Sequence, residues 1–306
     1  NGGSTWSTIA SAGSSYEIYF TSADTGFSII DETPATNNGS SIKKTTDGGL
    51  TWNEKLFDST LYFRSLFFPN PDIGFALCKD FSNTTYTYKT IDAGENWFLQ
   101  STNTMTPYPP WSTLFFTDSS TGYFANGEIF KTVDGGQNWT KVFFDITGDA
   151  YLESFHFPSA TVGYAVGSSL TTGSAIYKTT DAGQTWLPQT TPDVNPLNSV
   201  FFINNNTGYA VGGDGQVSGS VIKTVDGGSN WILDTTQTTS FNSVFFPIST
   251  IGYAVGTNGI IIKYSDTTTG SEDANSFISY NKPSVFPNPS NNGTFRVSEY
   301  RDEGNI

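Results

Sequence analysis

The sequence predicts an all-β fold: a six-bladed β-propeller of four-stranded blades, closed by an N-terminal strand and followed by a short truncated β segment. Three observations predict it. An eight-residue pattern, Thr-x-Asp-Gly/Ala-Gly-x-Thr/Asn-Trp, recurs at Thr45–Trp52, Thr90–Trp97, Thr132–Trp139, Thr179–Trp186 and Thr224–Trp231. A second pattern, an aromatic pair followed by a turn and Gly-Phe/Tyr, runs in phase with the first. No stretch of ten or more residues carries the 3.6-residue apolar period of a helix.

Each repeat reads as four short strands. Its first strand carries the aromatic pair, as in Phe67-Phe68, Phe115-Phe116, Phe201-Phe202 and Phe245-Phe246, with Ile18-Tyr19-Phe20 and Phe155-His156-Phe157 completing six. Its second opens on the Gly-Phe/Tyr pair, its third ends in the box threonine, and its fourth starts at the box tryptophan. In the fifth repeat the expected strands are Ser199–Ile203, Gly208–Val211, Ser220–Thr224 and Asn230–Asp234. Four strands every 40 to 50 residues with no helix between them is the signature of propeller blades. The box has a local physical account: Asp47, Asp92, Asp134, Asp181 and Asp226 accept backbone N–H bonds in the turn, and the glycines supply positive φ. Trp52, Trp97, Trp139, Trp186 and Trp231 wedge their rings against the sheet. These residues are read as structural. The sixth repeat lacks the Trp and its fourth strand, while Asn1-Gly2-Gly3 and Trp6 supply half a box at the other end of the chain. Residues 4–9 are therefore expected to close the ring and cover the open edge.

Bulk composition narrows the function. The net charge is −14, with 14 Lys+Arg against 28 Asp+Glu and only three arginines. Nucleic acid is disfavoured, because phosphate backbones need a basic footprint. No apolar run approaches the ~20 residues of a transmembrane helix. The single cysteine, Cys78, forms no intramolecular disulfide and reads as a small buried hydrophobe. The chain opens inside a motif, which suits a mature or trimmed protein.

The boxes resemble the Asp boxes of BNR-like propellers, including sialidases and sortilin-like receptors. Together with the phased Phe-Phe and Gly-Tyr-Ala-Val-Gly strands they look most like the photosystem II assembly factor (Ycf48-like) propellers, over residues 1–268. A linker is expected at 269–282. From residue 283, Val285-Phe286-Pro287-Asn288-Pro289 with Gly293 and Phe295 resembles the start of a type A sorting domain of the type IX secretion system. That resemblance implies the type IX machinery as a partner and a secreted or surface location in a Gram-negative, Bacteroidetes-type bacterium.

A sialidase site clamps a carboxylate with three arginines, and the propeller region holds only Arg64. Glycan hydrolysis by two carboxylates needs fewer parts. The loops that vary in length share one face, with Asp31, Glu32, Asp58, Asp80, Glu128, Asp145, Asp149, Asp193 and Asp214 on it, and no motif singles out a pair. Asp80, Asp149 and Asp214 are the candidate ligand acids. Trp111 and Tyr108, in a Pro-rich loop, are candidates for stacking on a sugar or a peptide, or for plugging the channel. His156, the sole histidine, reads as a core or channel-lining residue. One His and one Cys set zinc aside. No cofactor is expected; calcium from loop carboxylates stays open, without an Asp-x-Asp-x-Asp-Gly loop. The leading reading is a non-catalytic binding or adhesion propeller for a glycan or surface protein. The alternatives are a secreted glycan hydrolase and an assembly scaffold.

Overall fold

The structure is a computed structural model and describes residues 15–31, 39–82, 84–104, 113–125, 128–144, 149–192, 194–215, 218–265 and 277–280. Its strands form six four-stranded antiparallel sheets, each from one continuous stretch of chain. The first sheet is β1 (Ser15–Phe20), β2 (Gly26–Asp31), β3 (Ser40–Thr45) and β4 (Asn53–Asp58). The second is β5 (Tyr62–Phe67), β6 (Gly74–Lys79), β7 (Thr84–Thr90) and β8 (Phe98–Thr104). The third is β9 (Thr113–Phe116), β10 (Gly122–Ala125), β11 (Glu128–Thr132) and β12 (Thr140–Phe144). The fourth is β13 (Ala150–His156), β14 (Gly163–Ser169), β15 (Gly173–Thr179) and β16 (Leu187–Pro188). The fifth is β17 (Leu197–Phe202), β18 (Gly208–Gly213), β19 (Gly219–Thr224) and β20 (Ile232–Gln237). The sixth is β21 (Phe241–Ile248), β22 (Ile251–Gly256), β23 (Ile261–Ser265) and β24 (Phe277–Tyr280). The predicted all-β propeller is the fold observed. Strand ends in the fifth sheet differ from expectation by at most three residues, and those at Gly208 and Thr224 coincide.

One expectation is corrected. The outer edge of β23 is paired with β24, from Ile261↔Tyr280 to Tyr264↔Phe277. The place assigned to residues 4–9 in the sixth sheet is thus taken by β24; residues 4–9 themselves lie outside the described ones. Phe277-Ile278-Ser279-Tyr280 has the β-branched and aromatic character of a strand. It also lies close to β23 in sequence, so bringing the two together costs little closure entropy.

An aromatic interlock repeats between successive sheets. The second-strand ring of one blade stacks on the first-strand phenylalanine of the next, and the box Trp of that next blade meets the phenylalanine edge-on. Phe75 stacks on Phe116 at 3.7 Å with Trp139 at 6.0 Å. Tyr123 stacks on Phe157 at 4.4 Å with Trp186 at 5.9 Å, and Tyr164 on Phe202 at 3.7 Å with Trp231 at 5.8 Å. In the sixth sheet, where no box Trp follows, Tyr264 takes its place 5.3 Å from Phe246. Offset and edge-on aromatic pairs add attraction beyond their buried area.

A lysine clip works beside it. The residue before each box threonine lies over the second-strand ring of its own blade, as Lys131 does over Tyr123 (5.8 Å) and Lys178 over Tyr164 (5.6 Å). From there Lys131 Nζ donates to the Ala182 carbonyl at 2.7 Å and Lys178 Nζ to the Gly227 carbonyl at 2.6 Å, both in the next blade's box turn. Lys44 instead reaches Glu95 at 2.6 Å. A charge held over a ring and hydrogen-bonded across the blade boundary fixes the rotation of one blade against its neighbour.

Candidate functional site

The first strand of every sheet faces a common axis. Side chains from all six line a cavity of about 510 Å³. One level of this wall is a continuous arc of half-buried rings: Tyr19, Phe67, Phe115, His156, Phe201 and Phe245. Successive ring centroids along it are 5.7, 4.7, 6.0, 4.5 and 5.2 Å apart. The strand period of two points these residues inward while their neighbours Phe68, Phe116, Phe157, Phe202 and Phe246 point between blades.

Two residues earlier in each strand lies a small or acidic side chain, and in four of the six strands it stitches one blade to the next. Glu17 Oε2 accepts from the Leu66 N–H at 2.9 Å, Ser65 Oγ from Leu114 at 3.2 Å, Ser154 Oγ from Val200 at 3.4 Å, and Ser199 Oγ from Val244 at 3.2 Å. One residue earlier again, five of the six strands carry a bulge, with register shifts at Ser15/Glu17, Phe63/Ser65, Leu152/Ser154, Leu197/Ser199 and Phe241/Ser243. An extra residue in one strand re-aims its side chain. Arg64, Glu153, Asn198 and Asn242 sit at these bulges and line the cavity. Arg64 is held by Asp31 at 3.0 Å and by its neighbour's carbonyl, Phe63 O, at 3.0 Å. Asn198 Nδ2 donates to Phe241 O at 2.7 Å.

His156 is part of this wall. Its Nδ1 accepts from the Phe202 N–H at 3.3 Å, which leaves the proton of the neutral ring on Nε2. Burial pushes its pKa down to about 4. The folded state therefore binds this proton less readily than the unfolded one, so the linked stability is present above the ordinary histidine range and lost as pH falls toward 4. The C2-proton resonance of His156 is expected to titrate near pH 4 rather than near 6.5; a midpoint above 6 would overturn the buried, neutral assignment.

The sequence-predicted acids are not brought together. Asp80 Oδ1 accepts from the N–H groups of Ser82 and Thr84, both at 2.8 Å, and Oδ2 from the Tyr86 hydroxyl at 3.1 Å. Desolvation of Asp80 is outweighed by these bonds, so its carboxyl lies below its ordinary range. Asp149 Oδ2 accepts from Ser169 Oγ at 2.6 Å, and Oδ1 from the Thr171 N–H at 2.9 Å. Asp214 accepts from the Ser218 N–H at 3.1 Å and from its hydroxyl at 3.2 Å. The three lie on different loops, and each closes onto its own turn or the adjacent strand end. Trp111, Tyr108, Asp145 and Asp193 lie outside the described residues, as do Pro287, Asn288, Pro289, Gly293 and Phe295. Among the described residues no group of three or more His, Cys, Asp or Glu side chains converges on a metal position, and no helix is long and apolar enough to cross a membrane.

The box aspartates repeat one geometry. Asp181 Oδ1 accepts from Thr179 Oγ1 at 2.8 Å and from the Thr185 N–H at 2.9 Å, while Oδ2 takes the Thr185 hydroxyl at 2.6 Å. Asp47 and Asp92 do the same with Thr51 and Asn96. The side-chain bond from residue 51, 96 or 185, followed by the N–H bond, pulls each of these carboxyls down to about 2. Their stabilising contribution is complete above the ordinary carboxylate pKa and is lost as pH falls from about 4 toward 2. Asp181→Asn is expected to make the fall of the melting temperature over that range shallower; an unchanged acid profile would show that the carboxylate charge is not what the turn uses.

No protein family and no curated protein matches the sequence. Solved structures do match the fold. Ycf48 bound to a D1 peptide superposes with a TM-score of 0.62 at 17% identity, over 86% of this chain and 82% of the other. Ycf48 from Cyanidioschyzon merolae gives 0.64 at 16% identity, over 90% and 88%. These likenesses show the fold, a β-propeller such as those structures have. The GH74 enzyme of Niastella koreensis gives 0.65 at 16% identity, over 86% of this chain and 46% of the enzyme.

Sequence reasoning missed two sets of residues that this geometry singles out. The clip lysines were signalled by the repeated Lys-Thr before each box. The bulge residues Arg64, Glu153, Asn198 and Asn242 sit three positions before each inward ring, a phase visible in the sequence but silent about direction.

Proposed function

We propose that this chain is a secreted or cell-surface, non-catalytic binding propeller exported by the type IX secretion system. The observation that carries the binding reading is the state of the acids. Asp80, Asp149 and Asp214 are each closed by hydrogen bonds into local structure, whereas hydrolysis of a glycoside needs two carboxyls facing each other across a substrate. Binding requires only a preformed concave wall with aromatic rings and a few polar groups, which the axial cavity supplies. The Ycf48 complex with a D1 peptide lends support to a protein partner. Export rests on the resemblance of residues 283–297 to a sorting domain.

The likeness to a GH74 enzyme keeps glycan hydrolysis as the second reading. Binding arrays of glycans and of surface-protein peptides, run beside a reducing-sugar assay on the same polysaccharides, separate the two. Saturable binding without sugar release is the expected result. Turnover abolished by Asp80→Asn, Asp149→Asn or Asp214→Asn would replace the binding reading with the hydrolase. For export, the complete gene is expected to deliver protein to the medium or surface only in a host with an intact type IX system; delivery without that system would overturn the route.

A further inference from the structure

Glu153 is the one carboxylate in the wall of the axial cavity for which the described residues form no hydrogen bond or ion pair. The other charged side chains of the wall are engaged: Glu17 with the Leu66 N–H, and Arg64 with Asp31. The bulge between Leu152 and Ser154 takes Glu153 out of the ladder and aims it at the axis. Burial raises its pKa, with no neighbouring cation to oppose the rise. A carboxylate kept half-buried without a partner among the described residues costs stability, and the fold carries that cost at a position where blades two, five and six place Arg64, Asn198 and Asn242. Three residues further along the same strand stands the arc of six rings, roughly 10 Å away at about 3.3 Å per residue. Aromatic faces attract cations and cover apolar bodies alike.

We propose that the axial cavity binds an amphipathic organic cation, its ammonium or guanidinium head on Glu153 and its apolar body across the rings of Phe115, His156 and Phe201. The chemistry fits a lysine or arginine side chain presented by a partner protein, or a free alkylamine. The cavity's volume of about 510 Å³ is in the usual range for small-ligand sites, about 300–1,000 Å³. This inference rests on the binding reading above and names its seat and ligand class.

The test is calorimetric titration of the full chain with hexylammonium chloride, with the peptide Gly-Gly-Lys-Gly-Gly, and with hexanol as the uncharged control. Binding of at least one cation is expected, with hexanol at least ten-fold weaker. Glu153→Gln is expected to lower cation affinity ten-fold or more while leaving the melting temperature unchanged or higher, because it removes an unpaired buried charge. Asp72→Asn, an exposed position outside the cavity lining, is the control. Preference for the peptide over the alkylamine assigns the ligand to a partner's lysine, and the reverse to a free amine. Absence of cation binding, equal binding by hexanol, or a lower melting temperature for Glu153→Gln would each overturn the proposal. Sugar release in the parallel assay would instead remove the binding reading itself, so the two failures are told apart.

Discussion

Phe202→Ala is expected to destabilise the protein by about 3–5 kcal/mol, the usual cost of deleting a buried phenylalanine. Phe202 is 3% exposed and stands at the boundary between the fourth and fifth sheets. Its ring stacks on Tyr164 at 3.7 Å and an interplanar angle of 12°, and meets Trp231 edge-on at 5.8 Å. Removing it leaves a void that neither sheet can fill alone, since both Tyr164 and Trp231 are also held from other directions. The Tyr164 hydroxyl donates to Gly227 O at 2.7 Å, and Trp231 is buried in the same cluster. At about 2–4 °C per kcal/mol for a domain of this size, the melting temperature should fall by roughly 6–20 °C. A fall of less than about 2 °C would show that the aromatic interlock is not what holds one blade to the next.

The second large effect comes from the glycine beneath that ring. A Cβ built on Gly208 would lie 2.6–2.7 Å from Cε1, Cζ and Cδ1 of Phe202. The ring has no room to retreat, because Tyr164 stacks on its other side. Gly208→Ala is therefore an overpacking change, with an expected cost of about 1–3 kcal/mol. The two substitutions should couple. With Phe202 already reduced to alanine the added methyl enters space rather than a ring, so Gly208→Ala should become neutral or mildly stabilising in that background. A double-mutant cycle by urea unfolding measures this; additive costs would mean that the glycine serves the backbone and not the ring. The same pairing recurs from Gly26 with Phe20 to Gly252 with Phe246. That recurrence is the physical reason for the Gly-Phe/Tyr signature.

The repeat was legible because blades are built from local rules. A turn carried by Thr179, Asp181 and Thr185 needs only the residues of its own box, so its spacing survives in the sequence as a motif. The alternation that sends Phe201 to the axis and Phe202 between blades is likewise a property of one strand. The site was far less legible. Asp80, Asp149 and Asp214 stood out as loop acids, yet their partners Tyr86, Ser169 and Ser218 are supplied by how each loop folds back. Glu153 drew no attention, because only a bulge aims it inward.

By itself, then, the sequence determined the all-β class, the six-fold repeat, the four strands per blade and the anionic character that disfavours nucleic acid. These follow from periodicity, turn chemistry and composition, which act over a few residues or over the chain as a whole. Only the tertiary structure decided which strand closes the sixth sheet, that the fourth sheet keeps a two-residue outer strand at Leu187–Pro188, and which acids the described residues leave without a partner. Strand edges and charge pairing are settled by competition among segments far apart in the chain, and Phe277–Tyr280 occupies the edge of β23 that the repeat pattern assigned to residues 4–9. The axial cavity belongs to the same class of facts, since it exists only where six first strands meet.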